Sequence, residues 1–174
     1  MWAFAIWDNK NKSLFLSRDR FGVKPLYYLK NGGKFFFASE LKAFMFLYKE
    51  NIPEFNYSNF VYASKNHTNN AYFVTEDTFL ENVKELNPSY QLTIDTRKNI
   101  ELKKWWSTMD NLIEVPKNYN DQIEKFKDLF FNACKLRMRS DVEVATSLSG
   151  GMDSSSVVAT INHFKNTQEN LGNT

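Results

Sequence analysis

The chain holds a single cysteine, Cys134, among its 174 residues. One thiol excludes an internal disulfide and any cysteine-based metal site. Histidine is nearly as scarce. His67 and His163 lie far apart with no ligand spacing around either, so both read as surface polar residues. No charge sign dominates, since 22 Lys and Arg face 20 Asp and Glu and the net charge is +2. That is too little to imply nucleic acid or an anionic membrane as partner. Apolar runs stay short of the ~20 residues that a membrane helix needs. Residues 1–8 show neither the basic start nor the cleavage site of a signal peptide, so a cytoplasmic location is expected. What is present is ordinary globular usage, 43% hydrophobic and 24% charged, with sixteen Phe that argue for bulky packing.

The first half reads as β structure. The apolar run 3–7, the polar turn 8–12 and Leu14-Phe15-Leu16 predict one hairpin. Residues 26–29 and 34–38 flank Asn31-Gly32-Gly33 and predict a second. A short helix is expected over 40–48 with Leu41, Phe44, Met45 and Tyr48 on one face, while 51–71 carries no clear period. Residues 90–94 and 100–106 look like a closing pair of strands. Residues 107–120 contain Pro116 and several Asn and read as a linker. An amphipathic helix is then predicted over 121–139, where Ile123, Phe126, Leu129, Phe130, Ala133 and Leu136 recur at three- and four-residue steps. Lys135, Arg137 and Arg139 suit its negative end. Val142, Val144, Thr146 and Leu148 predict a strand, and Val157, Val158, Ile161 and Phe164 a further helix. Helix, strand, glycine loop and helix together open a nucleotide-binding α/β domain.

The chemistry is concentrated in that loop, Ser149-Gly150-Gly151-Met152-Asp153-Ser154-Ser155. Paired glycines allow a sharp turn and close approach of backbone to a ligand. Their N–H groups and those opening the next helix favour an anion. The hydroxyls of Ser149, Ser154 and Ser155 add donors. Asp153 becomes useful against phosphate if Mg²⁺ bridges the two. The bland alternative is a tight turn in which Asp153 or Ser154 caps the helix. At residue frequencies of roughly 5–7%, however, Ser-Gly-Gly-x-Asp-Ser arises by chance in a chain this long on the order of a few times in ten thousand. No Walker A pattern is present, so γ-phosphate transfer is not suggested.

The loop resembles that of the ATP pyrophosphatases, which hold the β- and γ-phosphates while a substrate oxygen attacks the α-phosphate. Upstream, Arg18-Asp19-Arg20-Phe21-Gly22-Val23-Lys24-Pro25-Leu26-Tyr27-Tyr28 closely resembles a segment of asparagine synthetase glutaminase domains. Phe37-Ala38-Ser39-Glu40-Leu41-Lys42-Ala43, Leu86-Asn87-Pro88-Ser89-Tyr90 and Arg139-Ser140-Asp141-Val142 are similar to later segments of the same family, in the same order. Departures are Ser89 and Ala145 where Gly is usual, and Glu143 where Pro is usual.

The resemblance implies an α+β fold, a remnant of an N-terminal-nucleophile glutaminase β-sheet domain. The first helix-strand-loop-helix of an α/β adenine nucleotide hydrolase-like domain would follow it. Residues 1–108 would close the glutaminase, 109–120 link, and 121–174 open the synthetase. It further implies an ATP and pyrophosphate site at Leu148, Ser149, Gly150, Gly151, Asp153, Ser154 and Ser155, with Mg²⁺ on Asp153 through the pyrophosphate. Aspartate, glutamine and ATP would be the substrates, and a homodimer is allowed for the full-length protein. The family's glutaminase nucleophile is an N-terminal cysteine, and residue 2 here is Trp2. Residues 1–8 instead resemble a strand inside that domain. No catalytic set is therefore complete, and the 174-residue polypeptide alone is expected to be inactive on glutamine and prone to association. Two alternatives stay open: a related amidotransferase acting on a sugar or β-lactam acceptor, and a truncated product that only binds nucleotide or a partner. Arg18, Asp19, Arg20 and Lys24 read as scaffolding, with Gly22 and Pro25 fixing a turn, and Cys134 as a buried small hydrophobe.

Overall fold

The computed structural model describes residues 1–47, 54–65 and 76–167. The chain forms two compact units, residues 1–112 and 113–174. The first is α+β with antiparallel sheets. Strands β1 (Ala3–Asp8) and β2 (Ser13–Arg18) form the first expected hairpin. Asp8 organises its turn by accepting from the N–H groups of Lys10 and Asn11. Strands β3 (Tyr27–Asn31) and β4 (Lys34–Ala38) form the second. Gly32 and Gly33 both have positive φ, 55° and 73°, as a two-residue turn matched to strand twist requires.

Strand β5 (Lys84–Glu85) pairs with β3, and β6 (Tyr90–Ile94) pairs with both β2 and β7 (Ile100–Lys104). The result is a four-stranded sheet in the order β1-β2-β6-β7 and a three-stranded sheet in the order β4-β3-β5. The expected closing strand over 100–106 ends at Lys104, two residues early. Just beyond it the Trp105 N–H still donates to the Ser89 carbonyl at 2.9 Å, its indole N–H donates to the Arg18 carbonyl at 3.1 Å, and its ring stacks on Trp2.

The core follows the two-residue period of the strands. Leu16, Leu92 and Ile94 from one sheet meet Leu26, Tyr28 and Leu86. The opposite face of β3 places Leu29 with Phe44 and Val83. This explains the unbroken apolar run Leu26-Tyr27-Tyr28-Leu29, since a strand covered on both faces has no polar side. Phe44 lies in α1 (Lys42–Leu47) and is fully buried, whereas Met45, expected on the same face, is exposed. Tyr48 and His67 lie outside the described residues. A helix that the sequence did not announce, α2 (Tyr57–Lys65), falls in the stretch without clear period. Phe60 of α2 packs on Phe55 and Phe79. Contacts from neighbouring segments thus supply what its own pattern lacks.

Ser89 shows why glycine is usual at its position. Its φ is +67°, in the left-handed region that costs an ordinary side chain about 1 kcal/mol. The buried hydroxyl compensates by donating to the Arg20 carbonyl at 2.8 Å. Ser89→Gly should therefore exchange strain for a hydrogen bond and change stability by less than about 1 kcal/mol. Ser89→Ala keeps the strain, loses the bond, and should cost about 1–2 kcal/mol. Urea denaturation that ranked alanine level with glycine would contradict this account.

The second unit holds α3 (Tyr119–Arg137) and α4 (Met152–Asn166). Asn118 caps α3 through its side chain, which accepts from the Asn120 N–H at 2.9 Å. The helix thus begins and ends two residues before the expected span, and Arg139 lies beyond it. Arg137 does serve the helix end, donating to the Ala133 carbonyl. Cys134 and Phe164 are buried, and Phe131 packs edge-on against Phe164. Phe126 on the predicted apolar face is nevertheless 69% exposed. The stripe is wider than one neighbouring helix covers.

The strand expected from Val142, Val144, Thr146 and Leu148 is not formed. A strand is stabilised by a ladder, and among the described residues this unit offers no other strand to pair with it. Val142 and Leu148 are accordingly 75% and 62% exposed.

Candidate functional site

Two polar centres stand out, and they differ in kind. The first is buried in the antiparallel unit and ties together the turn after β2. Asp19 accepts four backbone hydrogen bonds, from Trp2, Phe21, Val23 and Lys24, all at 3.1 Å. Burial pushes its carboxyl up, but the four donors together outweigh burial and hold it below the ordinary carboxylate range. Arg18 donates to the carbonyls of Lys24, Leu86 and Gly22 and pairs with Glu85 at 2.6 Å. Gly22 has φ +64°, and a Cβ there would sit 2.7 Å from Pro88 Cγ and 3.0 Å from Arg18 Cζ. Both carboxylate oxygens of Asp19 and all three guanidinium nitrogens of Arg18 are thus engaged by protein groups. The centre is scaffolding, as the turn-like sequence suggested.

One atom of that centre is unsatisfied: Glu85 Oε2 is buried without a hydrogen-bond partner among the described residues. Burial therefore pushes the Glu85 carboxyl up, against the pull of Arg18. The two carboxyls give opposite pH dependences. Asp19 titrates below its ordinary value of 3.8, so its contribution is complete above that value and is lost as pH falls through the lower folded one. Glu85 titrates above its ordinary value of 4.5. Its contribution is complete below 4.5 and declines as pH rises through the higher folded value. Thermal melts of Glu85→Gln should show a flatter stability profile above 4.5 than the parent chain. Identical slopes would contradict the buried, half-satisfied carboxylate.

The second centre is exposed and lies at the N-terminus of α4. Gly150 adopts φ +83° and nothing lies within 4 Å of where its Cβ would be, so the turn opens to solvent. Gly151 is the N-cap residue, in extended conformation. The structure brings Ser149 and Ser154 together: their hydroxyls are 3.0 Å apart, and the Ser149 N–H donates to Ser154 Oγ at 3.3 Å. The Ser154 hydroxyl also donates to the Gly151 carbonyl at 3.1 Å. No side chain caps the helix, which removes the cap reading for both Asp153 and Ser154. Asp153 sits exposed in the first turn with no hydrogen bond or ion pair among the described residues. Ser155 and Leu148 are exposed as well.

The donor set suits a polyphosphate with its cation. Hydroxyls and first-turn N–H groups face the side where anions are favoured. Among the described residues no group of three or more His, Cys, Asp or Glu could hold a metal by itself. A lone free carboxylate fits a Mg²⁺ ion whose other ligands are phosphate oxygens and water.

Sequence reasoning did not foresee the cleft beside this loop. A cavity of about 510 Å³ between α3 and α4 is lined by Ile123, Phe126, Phe130, Phe131, Met152 and Asp153, among others. The three- and four-step apolar stripe of α3 was its signal. His163 also borders the cleft, its ring 5.5 Å from that of Phe131. Cys134 is buried, and burial pushes its thiol up, which disfavours the thiolate. No helix among the described residues is long and apolar enough to cross a membrane.

Comparison with known proteins gives two family matches. Residues 1–106 match the family described as glutamine amidotransferase domain, and residues 125–170 that described as asparagine synthase. A Methanocaldococcus jannaschii protein provisionally named asparagine synthetase (glutamine-hydrolysing) 2 is 38% identical over 94% of this chain and 31% of its own length. Asparagine synthetase (glutamine-hydrolysing) 3 of Bacillus subtilis is 31% identical over 95% of this chain and 26% of its own. Amidase chry2 of Gibberella zeae is 30% identical over 98% of this chain and 24% of its own. The chain thus spans between 24% and 31% of the length of these relatives.

Proposed function

This chain belongs to the glutamine amidotransferase domain family, and we propose that it is part of a glutamine-hydrolysing asparagine synthetase. On this reading residues 1–108 close the glutaminase domain, 109–120 link, and 121–174 open an ATP-pyrophosphatase domain of adenine nucleotide hydrolase type. The whole enzyme would activate aspartate with ATP to β-aspartyl-AMP and amidate it with ammonia from glutamine. A cytoplasmic setting and small-molecule substrates accompany that chemistry. The observation that carries the reading is the loop before α4, where three serines, an open left-handed glycine and an unpartnered carboxylate meet at one helix N-terminus.

The division of labour follows from the residues. Ser149, Ser154 and Ser155 offer hydroxyls, and Gly150 and Gly151 offer backbone N–H groups, to the β- and γ-phosphate oxygens. Gly150 leaves room for that approach. Leu148 leads the chain into the loop. Asp153 would hold Mg²⁺, which when bound offsets the charge of the departing pyrophosphate. Because Ser149 and Ser154 satisfy each other in the free loop, phosphate oxygens replace an existing hydroxyl pair, which keeps the donors close before binding.

The test is product identity with protein of the relatives' length. Aspartate, ammonia, Mg²⁺ and ATP should yield AMP and pyrophosphate. Formation of ADP and orthophosphate would contradict the proposal.

A second reading keeps this chemistry and changes the acceptor. It is favoured by amidase chry2, whose name points away from asparagine synthesis although it matches as much of the chain. An acceptor panel including sugars and β-lactam precursors separates the two readings.

A further inference from the structure

We propose that Asn31 is a site of spontaneous covalent modification, closing to a succinimide with Gly32 and reopening as aspartate or isoaspartate. Of the asparagines in the chain, Asn31 alone precedes a glycine. It sits where β3 turns into β4, and residues 30–34 are all exposed. Its side-chain amide makes no hydrogen bond among the described residues, so nothing holds it away from the following peptide nitrogen. The Asn31–Lys34 pair closes the turn, and in a two-residue loop the first central N–H lies outside the ladder. That nitrogen belongs to Gly32, where nothing lies within 4 Å of the position a Cβ would take. Among the described residues the nucleophile is therefore uncrowded, outside the ladder and adjacent to its target.

Charge around the tip points the same way. Lys98 Nζ reaches to 2.8 Å from where a Cβ on Gly33 would stand, and Lys30 Nζ donates to the Lys98 carbonyl at 3.1 Å. Lys34 follows in the same exposed turn, so three lysines cluster at the tip. They favour the anionic nitrogen that attacks and the carboxylate that results.

The step balances without an added oxidant or reductant. The Gly32 nitrogen gives up its proton and bonds to Asn31 Cγ. The bond from Cγ to the amide nitrogen breaks, and that nitrogen leaves as ammonia with the proton. Water then opens the ring at either carbonyl. Opening at one side gives aspartate, and opening at the other routes the backbone through the side chain. The second product lengthens the chain by one atom at the closing pair and disturbs the β3–β4 register.

The experiment ages the purified chain in buffers of rising pH and maps its peptides by mass. The peptide containing Asn31 should gain about 1 Da and split into aspartyl and isoaspartyl forms. Conversion should be at least about tenfold faster than at any other asparagine, because only glycine leaves the nitrogen unhindered. The rate should climb about tenfold per pH unit while the amide is far from its pKa, and Asn31→Gln should abolish the change. A peptide that stays unmodified, gains mass no faster than the others, or yields aspartate without isoaspartate would overturn the proposal.

Discussion

Replacing Asp153 by asparagine in protein of the relatives' length should slow pyrophosphate release by at least about 100-fold, or about 2.7 kcal/mol of barrier. The proposed role of Asp153 is to hold a cation against charge that grows as the pyrophosphate departs. Its loss should therefore act on turnover more than on ATP binding. Asparagine keeps the shape and removes the charge. In the structure Asp153 caps nothing, so its stabilising contribution is limited to its charge at the helix end, about 0.3–1 kcal/mol. Turnover, ATP affinity and thermal stability measured together distinguish the roles. Unchanged turnover with a drop of several degrees in melting temperature would assign Asp153 to the helix.

The other large effect belongs to Arg18. Arg18→Met should destabilise the antiparallel unit by about 3–5 kcal/mol, the usual consequence of stranding one member of a buried ion pair. The loss is broader than one pair. Glu85 already has one oxygen without a donor, and the substitution would leave the carboxylate with none. The carbonyls of Gly22, Lys24 and Leu86 would lose their donor as well. Lysine is no substitute, because a single ammonium cannot serve acceptors spread around a planar fork. Removing the partner too, as Arg18→Met with Glu85→Met, should recover part of the loss. Urea denaturation measures both variants, and a cost below about 1 kcal/mol for the single change would contradict this assignment.

The two hairpins were legible because each places turn-forming residues between short apolar runs, a local signal with a local cause. The loop at 149–155 could be singled out as a candidate site for the same reason, since its residue types are contiguous. Its internal arrangement was not legible. That Ser149 and Ser154 bond to each other, and that no side chain caps α4, depends on backbone angles that residue identity does not dictate. The pairing of Arg18 with Glu85 joins distant segments, and no periodicity marks it. Helix α2 is held by Phe55 and Phe79 outside it, so its own pattern was too faint. The strand expected over 142–148 had the right alternation but no ladder to join. Alternation describes which sides residues face and does not provide a neighbour. The departure at Ser89 carried information of another kind, since only the left-handed φ explains why glycine is usual there.

The central claim is that a substrate oxygen attacks the α-phosphate while the serine and glycine loop retains the pyrophosphate. Heavy-oxygen labelling of the aspartate side-chain carboxylate tests it most directly. The protein of the relatives' length, given labelled aspartate, ammonia, Mg²⁺ and ATP, should place one labelled oxygen in the AMP phosphoryl group and none in pyrophosphate. Label appearing in orthophosphate, with AMP unlabelled, would contradict it.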